Sequence, residues 1–535
     1  MAAAQAPAHA FLRKSMDSSS KQPPAPEASR SAFSAATTGA PIAATVPSAS
    51  RGGAAIRPSD IVMMDALALN SAIHSRQVSC VEVMTAYLDH IDRLNPKVNA
   101  IVALQERSGV IAQAAESDAQ LARGDSMGPL HGFPHAVKDL QPVKGIPSTQ
   151  GSPIFRDFIP AADSLMVERL RKAGAIIIGK TNAPEFGLGS HTYNPVYGAT
   201  RNAYDQSRSA GGSSGGAAVS LALRMLPIAD GSDYGGSLRN PAGWNNVLGF
   251  RTSIGRVPVD ARDVWLPSIG VQGPMARNVP DLAMLLSVQA GFDPRAPLSM
   301  EGDGSAFRAS FERSLKGKRI AWAGDFKGYT PYEPGVLDVC KAALKTFDTI
   351  GCSVEEAQPD YPLDAVWRAL IRIRGWQTGG ALLEFYNDPV KRALLKPEAI
   401  YEIETGMKQS AYDITAASVV RSEWYQAVRR LFDRYDYFVA PTAQVFPFDV
   451  DLHWPQEIAG ARMETYHEWM KAVLLISMSG CPALAVPAGF GASGSPMGIQ
   501  IVAPVHRELD CLALAYAYTI AANWTTSRLP GLLAG

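Results

Sequence analysis

The chain has 535 residues, of which 47% are apolar and 19% charged, a composition typical of a globular protein with a large core. Fifty acidic and fifty basic residues cancel, so the charge indicates neither a nucleic-acid-binding protein nor one drawn to an anionic membrane. The five cysteines are scattered and never spaced as CxxC, which argues against a disulfide framework or zinc site and favours a reducing, cytoplasmic location.

Residues 1–55 are rich in Ala, Ser, Pro and Thr and contain few large apolar side chains. Such a segment cannot bury enough surface to offset its chain entropy, so we predict a disordered leader. The leader lacks the apolar core of a secretory signal, although its low acid content leaves organelle targeting open. Residues 56–535 are then predicted to form the folded domain.

Local signals predict the first elements of that domain. Ser79 and Glu82 have the S-x-x-E spacing of a capping box, which predicts a helix that begins after Ser79 and ends near residue 95. A short strand is expected at 100–104 and a second helix at 106–123. We interpret these elements as scaffold rather than as part of a functional site.

The pattern changes at residues 131–290, where short apolar runs alternate with Gly, Ser, Pro and Asn clusters. Such alternation is typical of strands that end in functional loops. Residues 330–435 are predicted to be mainly helical. Strand-like runs return near the C-terminus, so strands from both ends of the sequence are expected to share one sheet. No apolar run reaches the roughly 20 residues that a bilayer crossing requires, and no transmembrane helix is predicted.

Two glycine-rich motifs contain the candidate nucleophile: Gly211-Gly-Ser213-Ser-Gly-Gly216 and Asp233-Tyr-Gly-Gly-Ser237. Glycines before a serine let backbone N–H groups approach a substrate closely and form an oxyanion hole. The candidate donors are the N–H groups of Tyr234, Gly235, Gly236 and Ser237. Flexible linkers are the alternative interpretation, but linkers are seldom set among strongly apolar segments.

A serine nucleophile needs a base, and no histidine of the chain shows a triad pattern. Lys138 follows an apolar, strand-like segment, where burial would favour a neutral amine able to accept a proton. The alternative is a surface lysine that pairs with Asp139.

Four other patterns resemble known functional motifs, but their context argues against those functions. Residues 174–181 fit the P-loop expression, but the Ala-Ile-Ile-Ile within it predicts a buried strand rather than a phosphate-binding loop. Ser213 fits the GxSxG elbow, yet the segment before it is polar rather than an apolar strand. His131 and His135 are four apart, but the glycine and proline between them exclude a helical metal site. Cys481 is interpreted as a buried structural cysteine.

The catalytic candidates lie in a series of motifs that resembles the amidase-signature family. The motifs occur in family order: HGFPHAVKD, TQGS, GAIIIGKTNAPEFG, AGGSSGGAAV, SDYGGSLRNPAG, GVQGPMAR, YDYFVAPT and GCPALAVPAGF. The resemblance spans about residues 60–520. It implies a single large α/β/α fold, in which a mixed twisted sheet is flanked by helices and the catalytic residues lie at the ends of central strands.

The resemblance also implies a Ser-cisSer-Lys triad. Residue-by-residue transfer makes Ser237 the nucleophile, Ser213, after a cis peptide bond, the bridging serine, and Lys138 the base. Three further residues are expected to brace the site: Ser214, Asp233 and Arg239. All three triad positions are intact, which argues against an inactive binding module.

The implied reaction is hydrolysis of a small-molecule amide through an acyl-enzyme, without a metal or organic cofactor. The segment 330–435 is expected to cover the acyl pocket, and a homodimer is left open. Seven aromatic side chains favour an aryl or alkyl amide as substrate, although they could equally pack in the core. They are Trp367, Trp376, Phe385, Tyr386, Trp454, Tyr466 and Trp469. The alternative function is that of the glutamine-hydrolysing subunit of a tRNA-dependent amidotransferase, which shares the triad but passes ammonia to a partner.

Overall fold

The structure, a computed structural model, describes residues 57–266 and 268–534. The predicted leader, residues 1–55, lies outside the described residues. The described chain belongs to one compact unit that comprises residues 54–535. None of the described helices combines the length and apolar character that a membrane crossing requires.

The N-terminal part is mainly helical, and local signals explain its helix ends. The N–H of Glu82 donates to Ser79 Oγ at 3.0 Å, and the N–H of Ser79 donates to Glu82 Oε2 at 2.8 Å, which confirms the predicted capping box. The helix continues through Pro96 to Val98, so the prediction that it ends near residue 95 was wrong. Pro96 lies within the last turn and lacks the N–H that would donate to the carbonyl oxygen of Asp92, and Asn99 then ends the helix in the left-handed conformation. The elements are α1 (Pro58–Met63), α2 (Ala66–His74), α3 (Cys80–Val98), β1 (Ile101–Val102) and α4 (Arg107–Ala122).

The central part alternates short strands and helices. The P-loop-like segment forms a fully buried strand, as predicted, and not a phosphate-binding loop. The elements are β2 (Pro134–Lys138), α5 (Leu165–Lys172), β3 (Ile176–Thr181), α6 (Gly215–Ala222), β4 (Ala229–Asp233), α7 (Arg239–Trp244), β5 (Leu248–Arg251), β6 (Val271–Ala276) and α8 (Val279–Gln289).

Residues 330–435 are mainly helical, as predicted, and strands return after them. The elements are β7 (Arg319–Trp322), α9 (Val336–Thr349), β8 (Ser353–Glu356), α10 (Leu363–Asn387), α11 (Pro389–Arg392), α12 (Pro397–Met407), α13 (Ala411–Phe432), β9 (Tyr437–Pro441), β10 (Glu457–Ile458), β11 (Ala461–Arg462), α14 (Lys471–Ser479), β12 (Ala483–Phe490), β13 (Pro496–Val502), α15 (Glu508–Ala522) and α16 (Trp524–Ser527).

The strands form a mixed, twisted sheet system flanked by helices, which confirms the predicted α/β fold. The larger sheet has the order β4-β6-β5-β12-β13-β9-β7-β8, so strands from both ends of the sequence share it as expected. Its only parallel pairs among the described strands join β7 to β8 and to β9. A smaller sheet has the order β1-β3-β2, and β10 pairs with β11 separately.

The two main sheets adjoin where β2 lies beside β4. No backbone ladder joins these strands, and the N–H of Lys138 donates to the Asp230 carboxylate at 3.2 Å. Strands β2 and β4 are the edge strands of their own ladders, and they face each other between the two sets of strands. This seam places the end of β2 directly against β4.

Helices α10 and α12 cross closely because glycines meet at the crossing. A Cβ atom added to Gly379 would lie 2.7 Å from the carbonyl oxygen of Glu402, and one added to Gly406 would lie 2.2 Å from that of Gly375. The close approach places polar side chains of both helices near the loop that follows β4.

Candidate active site

Lys138, at the end of β2, is fully buried, so it is not a surface lysine. Its Nζ lies 2.8 Å from Ser213 Oγ, 2.9 Å from Ser214 Oγ and 3.0 Å from Ser232 Oγ. Asp139 does not pair with it. The Asp139 carboxylate lies 3.7 Å from the Nζ of Lys180.

The surroundings of Lys138 favour a neutral amine. Burial lowers the pKa of Lys138 from 10.5 to about 7, although the carboxylates of Asp230 and Asp233 act in the opposite direction. A shift of this size corresponds to about 5 kcal/mol of preference for the neutral form relative to an exposed lysine. Lys138 can therefore accept a proton near neutral pH.

Ser213 and Ser237 lie on two loops that are joined by a hydrogen bond. The peptide bond between Gly212 and Ser213 is cis, as the family resemblance implied. The N–H of Ser214 donates to the carbonyl oxygen of Ser237 at 3.1 Å. Ser237 is 7% exposed, and its hydroxyl makes no hydrogen bond with any described residue. Its Oγ is therefore not engaged by another described residue.

The loop between β4 and Ser237 packs tightly on α14. A Cβ atom at Gly235 would lie 2.3 Å from Leu474, and one at Gly236, where φ is +104°, would lie 2.5 Å from Val473. Only glycine satisfies both the space and the backbone conformation at Gly236.

Three of the four predicted oxyanion-hole donors are free in this conformation. The N–H of Gly236 already donates to Asp233 Oδ1 at 2.8 Å. The N–H groups of Tyr234, Gly235 and Ser237 make no hydrogen bond within the described part of the chain. These three N–H groups therefore remain available as candidate oxyanion-hole donors.

Asp233 and Arg239 brace the loop from inside the protein. The Asp233 carboxylate accepts hydrogen bonds from Arg239 Nε at 3.0 Å and from the N–H of Leu238 at 3.1 Å, and it lies 3.3 Å from Arg251. Burial would raise the pKa of Asp233, but the two guanidinium groups hold it well below its usual range. The carboxylate stays ionised and fixes the loop.

Helix α10 contacts the same loop through Tyr234. The Tyr234 hydroxyl donates to Gln377 Oε1 at 3.1 Å, and the Arg374 guanidinium lies 4.8 Å from the centre of the Tyr234 ring. Arg374 donates to Glu402 of α12 at 2.6 Å. Sequence reasoning missed these contacts because they join residues that are 28 to 143 positions apart.

A half-buried aromatic cluster lies near Ser213. Phe186 stacks on Phe385 with 6.0 Å between ring centres, and Phe155 contacts Phe385 edge-on at 5.5 Å. Phe186 precedes Gly187, and a Cβ added to Gly187 would lie 3.5 Å from Ser213 Oγ. The backbone that carries Phe186 therefore passes close to Ser213.

The other aromatic residues singled out in the sequence have several environments. Trp469 stacks on Trp244 in the core, and Tyr466 contacts Glu402 inside the protein. Lys471 lies over the ring of Trp367, and Tyr386 bonds Glu404. Trp376 and Trp454 are half-buried. Phe385 alone among the seven belongs to the described cluster near Ser213.

Sequence reasoning also missed Asp230 and Ser232, which contact Lys138. Both lie in β4 two residues apart, and residues at i and i+2 share one face of a strand. Because Asp230 and Ser232 are polar on a strand that ends at the candidate nucleophile, this alternation was the signal available in the sequence.

The histidines and cysteines of the sequence motifs have structural positions. His131 Nε2 bonds the carbonyl oxygen of Ser117, whereas His135 bonds Asp230. Cys481 is buried, as predicted. No group of three or more His, Cys, Asp or Glu side chains in the described ranges is arranged to hold a metal ion.

Comparisons with known proteins identify the family and the fold of the chain. A family model described as Amidase matches residues 82–512. The chain is 32% identical to an acylamidase of Rhodococcus erythropolis, over 87% of this chain and 97% of that protein. It is 31% identical to one subunit of the glutamyl-tRNA(Gln) amidotransferase of Thermosynechococcus vestitus, over 85% of this chain and 97% of that protein. Its fold matches a bacterial aryl acylamidase of the amidase signature family with a TM-score of 0.80 and 28% identity, covering 88% of this chain and 98% of that one.

Proposed function

The chain belongs to the amidase-signature family and is an amidohydrolase, and from this premise we propose that it cleaves small aryl or alkyl amides through an acyl-enzyme on Ser237. The observation that carries the proposal is the buried Lys138, whose Nζ lies 2.8 Å from Ser213 Oγ on a loop bonded to the Ser237 loop. A neutral amine in this position supplies the base that the serine nucleophile lacks elsewhere.

In the proposed reaction, Ser237 Oγ attacks the amide carbonyl carbon while its proton passes to Ser213 and the Ser213 proton passes to Lys138. The N–H groups of Tyr234, Gly235 and Ser237 stabilise the negative charge that develops on the carbonyl oxygen. The proton on Lys138 returns through Ser213 to the leaving nitrogen, and the C–N bond breaks. Water then attacks the ester carbonyl by the same route and releases the carboxylic acid.

The aromatic cluster supports an aryl or alkyl substrate. Phe155, Phe186 and Phe385 are half-buried, so a planar or apolar substrate group that packs on them would leave water. The similarity to an acylamidase and to an aryl acylamidase supports the same class.

The similarity to an amidotransferase subunit favours a second candidate function, in which the site hydrolyses glutamine and delivers ammonia to a partner protein. This function uses the same triad chemistry but needs a site for the charged α-amino and carboxylate groups of glutamine. The apolar cluster near Ser213 favours the free-standing amidase over this second candidate.

The test is amine and ammonia release from a panel of aryl, alkyl and amino-acid amides, including glutamine, by the purified chain alone. We expect turnover of aryl or alkyl amides by wild type and a loss of at least about 1,000-fold in kcat/KM for Ser237→Ala, since the nucleophile is removed. Equal rates for the two proteins would overturn the assignment of Ser237. Turnover of glutamine alone, or only with an added partner, would support the second candidate.

A further inference from the structure

Asp230 and Asp233 act on the Lys138 amine and Asp139 follows Lys138 in sequence, and these three carboxylates differ in how their charge is balanced. Asp139 lies beside the ammonium group of Lys180, and Asp233 contacts two guanidinium groups. Asp230 contacts neither a lysine nor an arginine side chain among the described residues. Asp230 is therefore the one carboxylate of the three that no lysine or arginine side chain contacts directly, although Lys180 acts on it at longer range.

Asp230 is held by His135 and in turn holds Lys138. His135 Nε2 lies 2.9 Å from Asp230 Oδ1, and the Lys138 N–H donates to Asp230 Oδ2 at 3.2 Å. Both side chains of the His135–Asp230 pair are fully buried. His135 Nδ1 has no partner in the described chain, which favours the neutral tautomer whose Nε2–H donates to the carboxylate.

We infer that Asp230 is a positioning residue for Lys138: its carboxylate, oriented by His135, fixes the end of β2 and helps retain a proton on the Lys138 amine. This inference rests on the proposed function, because it assigns a role to the base of that reaction. The reaction needs a lysine that both gives up its proton to become a base and regains a proton from Ser213. Burial alone would make the amine a very weak base, and a nearby carboxylate offsets part of that effect.

The other groups near Lys138 stabilise a proton on its amine less directly than Asp230 does. Ser213, Ser214 and Ser232 provide neutral oxygens to its Nζ. The charged and titratable groups of the surrounding elements are Asp139 after β2, His135 within β2, Lys180 on β3, Asp230 and Asp233 on β4, Arg239 on α7 and Arg251 on β5. Within this set, we expect removal of the Asp230 charge to change the protonation of the Lys138 amine most directly.

The test is the pH dependence of kcat/KM for wild type and Asp230→Asn on an aryl amide. Asparagine retains an oxygen for the Lys138 N–H but lacks the charge. Since Lys138 acts as a neutral base, kcat/KM falls as the pH drops through the Lys138 pKa, and this fall is the acid limb of the pH profile. A lower pKa of Lys138 moves the acid limb to lower pH. We expect its midpoint to move down by about one pH unit, with a several-fold lower plateau because the amine is a weaker base.

Asp139→Asn is the matched control, because it removes a carboxylate next to Lys138 in sequence that is already paired with Lys180. Its midpoint should stay at the wild-type value. The midpoint is independent of the fraction of folded enzyme, so a partly folded variant still reports it. If Asp230→Asn does not fold, the double variant His135→Phe/Asp230→Leu replaces the polar pair by an apolar one and should also move the midpoint down.

An acid limb that stays in place, or moves to higher pH, in both Asp230 variants would overturn the inference. Failure of the proposed function gives a different result: the acid limb would persist in the residual activity of Lys138→Ala, so that Lys138 would not be the group that titrates.

Discussion

Lys138 gives the protein its proposed base at a cost to its stability. In the folded state the pKa of this amine is lowered to about 7 by burial, whereas in an unfolded chain it is about 10.5. The unfolded chain therefore binds more protons between these values, and the free energy of unfolding should rise with pH across that window. Below pH 7 the burial of Lys138 lowers the free energy of unfolding by the full amount that corresponds to the pKa shift.

Replacement of Lys138 by methionine should therefore stabilise the protein while it abolishes catalysis. We expect the free energy of unfolding to increase by about 1–3 kcal/mol at pH 6, since the gain from removing a buried amine is partly offset by its lost hydrogen bonds to serines. The gain should shrink as pH rises toward 10. Urea unfolding at several pH values measures it, and Lys341→Met, at an exposed position, is the control. A variant less stable than wild type at every pH would contradict the expectation.

At the scale of elements, the crossing of α10 and α12 determines how the helical segment meets the active-site loop. Gly379 leaves no room for a side chain at this crossing, because an added Cβ atom would lie 2.7 Å from the carbonyl oxygen of Glu402. Arg374, one turn earlier on α10, uses this closeness to bond Glu402 and to lie over Tyr234. A change in the crossing should therefore reach the candidate oxyanion hole.

Gly379→Ala and Gly380→Ala form a matched pair that tests this crossing. The first should destabilise the protein by about 1–3 kcal/mol, because the helices must separate, and it should lower kcat through Tyr234. The second should stabilise the protein by up to about 1 kcal/mol, because Gly380 has no atom within 4 Å and alanine favours a helix. Thermal unfolding and steady-state kinetics measure both effects. Equal stability of the two variants would show that the crossing is not tightly packed.

At the scale of the whole molecule, the sequence predicts best what depends on neighbouring residues. The capping box at Ser79, the buried strand β3 and the helical character of 330–435 were correctly predicted because each depends on local pattern. The end of α3 was misplaced because the helix continues past the Asn95-Pro96 pair to Val98, despite the hydrogen bond that proline cannot donate. The division into two sheets was not predicted, since it depends on how strands far apart in sequence meet: Lys138 of β2 and Asp230 of β4, which are bonded across the seam, are 92 positions apart.

The same limit applies to the site. The family motifs identified Lys138, Ser213 and Ser237, and the structure brings the lysine and both serine loops together. Motifs alone could not indicate that the N–H of Gly236 is engaged by Asp233, because this depends on how the loop folds back. Nor could they separate Phe385, near Ser213, from Trp469, in the core. Which aromatic residues face a pocket is decided by tertiary packing.

The most direct test of the proposed catalysis is the mass of the covalent intermediate. The enzyme is mixed with an activated aryl ester or anilide, quenched in acid within milliseconds to seconds, digested and analysed by mass spectrometry. We predict a mass increase equal to the acyl group on the peptide that contains Ser237, absent from Ser237→Ala. An acyl group on another residue, or full turnover by Ser237→Ala, would contradict the assignment of Ser237 as the nucleophile.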